Sequence, residues 1–130
     1  VISPSVPFPQ AMDLLRRSDA VINLGNKMKN QMPSKLLDYI AAGKPIINIS
    51  PNRPCNTHPY IARYPMAVQF YNDELADAAG LEAAAEKVVD FVVENRGKSL
   101  SWAEVESTMS GFTSADVAKK MLHAMESAKK

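Results

Sequence analysis

The nineteen residues from Asn30 to Asn48, NQMPSKLLDYIAAGKPIIN, constrain this chain more than any other stretch, because they encode a polar loop, a helix start, a glycine stop and a buried strand in succession. Pro33 and Ser34 suit a helix start, proline being tolerated in the first turn and serine able to cap a free backbone N–H. Leu36, Leu37, Ile40 and Ala41 recur at helical spacing and predict a core-facing stripe, whereas Ser34 and Asp38, four apart, share a more polar face. Gly43 fits the left-handed position past a helix end. Pro45 forbids continuation, so the chain leaves as the apolar strand Pro45-Ile46-Ile47-Asn48-Ile49.

The same alternation extends to both sides. A strand is predicted near Val1–Ser3, a helix over about Pro9–Arg17, a strand at Ala20–Leu24, the loop Gly25–Met32, a helix over Ser34–Ala42 and a strand at Ile46–Ile49. Strands that alternate with helices over short connections predict an α/β fold, a Rossmann-like parallel sheet with flanking helices, since parallel neighbours require a crossover. Beyond the proline-rich loop Pro51-Asn52-Arg53-Pro54, another strand is predicted at Met66–Tyr71, with Ala67, Gln69 and Tyr71 opposite Met66, Val68 and Phe70.

The C-terminal half reads as helical. Leu81, Ala84, Ala85, Val88, Val89 and Val92 form one stripe, stopped at Asn95-Arg96-Gly97. Ser101 and Glu104 have capping-box spacing and predict a short helix. Thr113 or Ser114 caps a last helix whose Ala118, Met121, Leu122 and Met125 make an apolar stripe, with Lys119, Lys120, Lys129 and Lys130 on its wet side or end. Trp102 and Phe112 are expected to pack these helices.

Composition narrows the function classes. The 130 residues, 46% hydrophobic and 22% charged, suit one domain with a modest core. Fifteen Lys and Arg stand against 14 Asp and Glu, a formal charge of +1, so no basic field for nucleic acid exists. No apolar run approaches the roughly 18 residues of a membrane span, and no signal peptide is visible, which predicts a cytoplasmic chain. A single cysteine, Cys55, excludes an internal disulfide. Cys55 and His58 lack the further ligands a metal site needs. Gly43-Lys44-Pro45 is not a phosphate loop, because Pro45 stands where Ser or Thr would bind magnesium. Asn48-Ile49-Ser50 matches a glycosylation acceptor only by chance, being set in a buried strand.

The carboxyl ends of parallel strands are where chemistry gathers, and the Gly25–Met32 loop leaves the second predicted strand at such an end. The helix that follows offers free N–H groups and a positive dipole end, which favour a diphosphate. Ser34 adds a hydroxyl and Lys35 a point charge. The residues alone also permit plainer readings: Ser34 as a simple cap, Lys35 and Asp38 as a surface ion pair, and Asn30 and Gln31 as ordinary loop polarity.

The run PSKLLDYIAAGKPII, preceded by PQAMDLLRRSDAVINL, resembles the donor domain of retaining glycosyltransferases with the GT-B architecture, the group 1 or family 4-like bacterial sugar transferases that serve polysaccharide biosynthesis. The resemblance covers essentially the whole chain but is specific only from about Gln10 to Ile49, the remainder matching in its element pattern alone. It implies a single partial C-terminal domain, truncated on its N-terminal side, of a larger two-domain enzyme whose isolated piece is inactive. It implies a nucleotide-diphosphate sugar as substrate, no cofactor and no metal, and transfer with retention to a sugar, lipid-linked or protein acceptor held by the missing domain. It also implies a parent that is cytoplasmic, or peripheral at the inner membrane face. By the same resemblance Asn30, Gln31, Met32 and Pro33 form the donor loop, Ser34 and Lys35 meet the diphosphate and Asp38 the ribose. No catalytic residue is assignable. Members of the family carry two glutamates eight apart, where this chain has Asn30 and Asp38. Asp38 keeps a carboxylate for two ribose hydroxyls; Asn30 loses the charge. The alternatives are a non-catalytic Rossmann-like binding module with a decayed site, and a nucleotide-sugar epimerase of the same fold.

Overall fold

The computed structural model describes residues 6–28 and 31–127. The strand expected at Val1–Ser3, the loop residue Asn30 and the terminal lysines 129 and 130 lie outside the described residues. Helix α1 (Phe8–Arg17) leads into strand β1 (Val21–Leu24), α2 (Ser34–Ala41), β2 (Ile46–Ser50), the short α3 (His58–Ile61) and β3 (Ala67–Tyr71); a 3-10 turn (Asn72–Leu75), α4 (Ala78–Asn95), α5 (Trp102–Thr108) and α6 (Ser114–Ser127) follow. The three strands form one parallel sheet in the order β1-β2-β3. The fold is α/β with flanking helices, as the alternation requires.

Gly43 ends α2 for two physical reasons. Its φ of +67° is a left-handed conformation, and a Cβ there would stand 2.1 Å from the Leu100 carbonyl oxygen. That approach ties the α2 end to the segment before α5, with Leu100 N–H donating to the Gly43 carbonyl at 2.9 Å. The Ser101 and Glu104 box starts α5 as expected: the Ser101 amide donates to the Glu104 carboxylate at 2.7 Å and the Glu104 amide to Ser101 Oγ at 3.4 Å.

The core lies on one face of the sheet. Leu36 and Ile40 of α2, Ile46 of β2, Ile61 and Tyr64 around α3, Val105 of α5 and Met109 just past its end are buried together, with Val21 and Ala67 packed against them. Phe112 joins this core, its ring centroid 4.8 Å from that of Tyr60.

Several expectations need correction. Met66 precedes β3 and packs in the same core as Ala67, so the strand alternation does not extend back to it. Trp102 is 62% exposed and does not pack the C-terminal helices. It occupies the first turn of α5, while Val105, three residues on, takes the buried position. The α4 stripe is covered along a narrower line than its periodicity suggests: Ala84, Val88, Phe91 and Val92 are half-buried, whereas Leu81, Ala85 and Val89 are exposed. On α6, Met121 and Leu122 are exposed. The 3-10 turn and α3 had no periodic signal, being too short to show one. Arg53 of the proline-rich loop holds that turn, 3.0 Å from Asp73 and 2.6 Å from Glu74.

Candidate functional site

The loop after β1 is anchored at its base by Gly25. A Cβ at that position would meet Pro51 Cδ at 3.0 Å, Ser50 Oγ at 3.1 Å and the Ile49 carbonyl at 3.2 Å, so only glycine fits without displacement. The Gly25 amide donates to the Ile49 carbonyl at 2.7 Å, and Asn52 Nδ2 donates to the Lys27 carbonyl at 2.9 Å. These bonds tie the carboxyl ends of β1 and β2 together. Beside them opens a cleft of about 490 Å³, lined by Ile22 to Leu24 of β1, Asn26, Gln31, Met32, Pro33, Ser34, Lys35 and Tyr39. The cleft sits at the carboxyl end of a parallel strand, the usual address for ligands in open α/β sheets.

The start of α2 is uncapped. Pro33 holds the N-cap position with φ −62° and ψ 115° and has no side-chain acceptor; Ser34 is the first helical residue and makes no cap bond. This corrects the simple-cap reading of Ser34. The Leu36 amide turns back to the Pro33 carbonyl at 3.1 Å, and among the described residues the Ser34 and Lys35 amides of the first turn have no partner. The side chains of Ser34 and Lys35 are exposed. Proline at this place fixes the chain's entry and removes the rival acceptor that Ser, Thr or Asp would supply.

Gln31, Met32, Pro33, Ser34 and Lys35 therefore meet in one cleft, and Asp38 does not. Asp38, one turn further on, lines a neighbouring groove between α1 and α2 with Phe8, Leu15 and Tyr39; Lys35 borders both hollows. Among the described residues Asp38 and Lys35 form no ion pair. Both are left facing solvent, each available to a ligand that spans the first two turns of the helix.

Beneath the loop lies a polar network that the sequence reading missed. Asn23, Asn48 and Gln69 stand side by side in the parallel register. Asn23 Nδ2 donates to Asn48 Oδ1 at 2.6 Å, and Asn48 Nδ2 donates to Gln69 Oε1 at 2.5 Å and Thr57 Oγ1 at 3.0 Å. Ser50 Oγ is 3.3 Å from Thr57 Oγ1, and Thr57 Oγ1 is 3.2 Å from Cys55 Sγ. Among the described residues no buried side-chain nitrogen or oxygen is left without a partner. The signal was present: the strands read VINL, IINI and AVQF, with an amide third in each. Finding it required the register, which periodicity alone does not give.

Cys55 is the titratable member of this network. Burial pushes its thiol up, but hydrogen bonds from Ser50, Thr57, Tyr71 and the His58 amide together bring it below its ordinary value. It lines a small hollow under the loop with Gly25, Gln31, Pro33, Ser50 and Thr57. The Arg53 guanidinium stacks 3.8 Å from the Tyr71 ring centroid on the outer side of this end. Among the described residues no three His, Cys, Asp or Glu side chains gather as a metal site, and no helix is long and apolar enough to cross a membrane. Asn48 is fully buried in β2, so the glycosylation triplet is indeed inert. Comparison of the chain with protein-family models, curated proteins and solved structures found no match.

Proposed function

We propose that the cleft at the start of α2 binds the diphosphate of a nucleotide-diphosphate sugar, and that the chain is the donor-binding part of a retaining glycosyltransferase. The observation that carries this reading is the uncapped first turn. Pro33 supplies no side-chain acceptor, the Ser34 and Lys35 amides have no partner among the described residues, and the Ser34 and Lys35 side chains are exposed at the same place. Free amides at a helix N-terminus, the positive end of its dipole and an adjacent cation are complementary to a phosphate.

In this reading Gln31, Met32 and Pro33 line the sugar side, Ser34 donates its hydroxyl to a phosphate oxygen and Lys35 neutralises charge. Asp38, one helical turn along, accepts the ribose hydroxyls from the neighbouring groove. As the bond between the anomeric carbon and the diphosphate breaks, negative charge grows on the departing phosphate. Donors already aimed at it stabilise that charge without reorganising. The acceptor hydroxyl approaches the same face of the sugar, held by groups of another domain. Asn30 in place of a carboxylate favours a second reading, a binding module of the same fold without transfer activity.

Calorimetric titration of the full gene product with UDP, GDP and ADP tests the proposal. One nucleotide is expected to bind saturably, with affinity reduced about tenfold or more by Ser34→Ala and by Asp38→Ala, as for lost charge-assisted hydrogen bonds. Absence of binding by the folded protein refutes the site. Binding without sugar transfer to any acceptor supports the module reading.

A further inference from the structure

Helix α4 is held along one side and bare along the other. Its ends are fixed: Asp77 Oδ1 accepts from the Gly80 amide at 2.8 Å, and Asn95 Nδ2 donates to the Phe91 carbonyl at 2.9 Å. Ala84, Val88, Phe91 and Val92 are half-buried, with the helix set against β3. Residues four apart form ridges on a helix surface, and two ridges of α4 meet solvent. One is apolar, Leu81, Ala85, Val89 and Val93, its three larger side chains 54, 59 and 71% exposed. The next ridge round the helix is wholly acidic, Glu82, Glu86, Asp90 and Glu94, all exposed. Like charges four apart repel along a helix, and among the described residues no ion pair relieves these acids. Lys87, the one cation within α4, stands a ridge further on.

Helix α6 carries the matching pattern. Asp116 Oδ2 accepts from the Gly111 amide at 2.8 Å and the Thr113 hydroxyl at 2.6 Å, and Lys120 Nζ donates to the Gly111 carbonyl at 3.1 Å. The ridge of Asp116 and Lys120 is therefore turned toward the connection between α5 and α6. The two ridges beyond it are apolar, Val117 with Met121 and Ala118 with Leu122, and all four residues are exposed. Lys119 and His123 form the ridge after those, also exposed. An apolar band edged by a cation thus stands on α6, as an apolar ridge edged by acids stands on α4. Within one chain the two helices form no packed pair among the described residues.

We propose that the bare side of α4 is a docking surface for α6 of a second copy of this chain. Val117, Met121 and Leu122 of one copy lie on Leu81, Val89 and Val93 of the other, and Lys119 meets the acidic ridge between Glu86 and Asp90. Ridges of four-residue spacing on both helices interdigitate at a crossing angle of about 50°. In a two-fold pair each copy gives its α6 and receives the other's, so the contact is made twice. Charge selects this arrangement over its rivals: α4 against α4 brings acid to acid, and α6 against α6 leaves the acids unanswered. Neither helix lines the cleft at the start of α2, so the inference stands whether or not that cleft binds a nucleotide.

Sedimentation velocity of the full gene product at rising concentration tests it, with circular dichroism as the control that each variant is folded. The native protein is expected to dimerise reversibly. Asp90→Lys and Lys119→Glu, each alone, should weaken the dimer at least about tenfold. An equimolar mixture of the two variants should associate as tightly as the native protein, because every contact between α4 and α6 in the mixed dimer then pairs opposite charges. Glu86→Lys, one turn away on the same ridge, supplies a second reversal that Lys119→Glu should also repair. A native protein that stays monomeric up to millimolar concentration overturns the proposal. A dimer indifferent to either reversal also overturns it and assigns association to another face. Weakening by both reversals that mixing does not repair overturns the pairing of α4 with α6.

Discussion

The two ends of β2 are equally buried and chemically opposite. At its amino end Ile46 sits among Leu36, Ile40, Val105 and Met109, and Ile47 is buried on the opposite face, so shape and apolar area supply the stability. Two residues later Asn48 and Ser50 are as completely enclosed, but by amides and hydroxyls that hydrogen-bond to one another. The apolar end tolerates approximate fits. The polar end does not, since each unmatched atom costs the full price of its desolvation. A parallel sheet thus holds its scaffold at one end and sets rigid, directional groups under the loops at the other.

Substitutions at the two ends should separate these behaviours. The largest loss is expected from Leu36→Ala, about 4 kcal/mol of unfolding free energy by urea denaturation, because Leu36 is wholly enclosed and a cavity follows its truncation. Asn48→Leu, nearly the same size, should cost about 3 kcal/mol, by leaving Asn23 Nδ2 and Gln69 Oε1 without partners. A leucine that is tolerated there would mean that the polar end is merely filled and not matched. Ser101→Ala, which unties the start of the α5 lid over the apolar end, should cost about 1 kcal/mol.

The smallest effect is a shift on the pH axis. Cys55 is held below its ordinary thiol value by hydrogen bonds, so its alkylation rate should rise with pH around a midpoint lower than that of a free cysteine. Because the folded value is the depressed one, the associated stability is present above the unfolded thiol value and is lost as pH falls through the folded one. Thr57→Val removes one of those hydrogen bonds and should move the midpoint up. An unchanged midpoint would detach Cys55 from the network.

The apolar end was legible in the sequence and the polar end was not. Leu36, Ile40 and Ile46 announce themselves by period, and Gly43 with Pro45 marks the turn between helix and strand. The Ser101 and Glu104 box is a local signal and formed as read. The amide ladder depends on which strand residues face one another, a property of three segments and no single one. Ser34 illustrates a different limit. The preference of serine for caps is real, yet Pro33 took the N-cap position and moved Ser34 into the first turn, where its hydroxyl faces the cleft. Asp38 stands four residues along the same helix, and that rotation is enough to place it in the adjoining groove. The stripes of α4 and α6 mark helices correctly but do not reveal what covers them, because period reports a face and not its partner.

The central claim, a diphosphate seated on the first turn of α2, is tested most directly by following backbone amide resonances of the gene product as UDP, GDP or ADP is added. The account predicts that one nucleotide shifts the Ser34, Lys35 and Leu36 amides most strongly and saturably, and that Ser34→Ala weakens the effect. Saturation with a nucleotide that leaves those three amides unmoved, or no shift with any of the three, would contradict it.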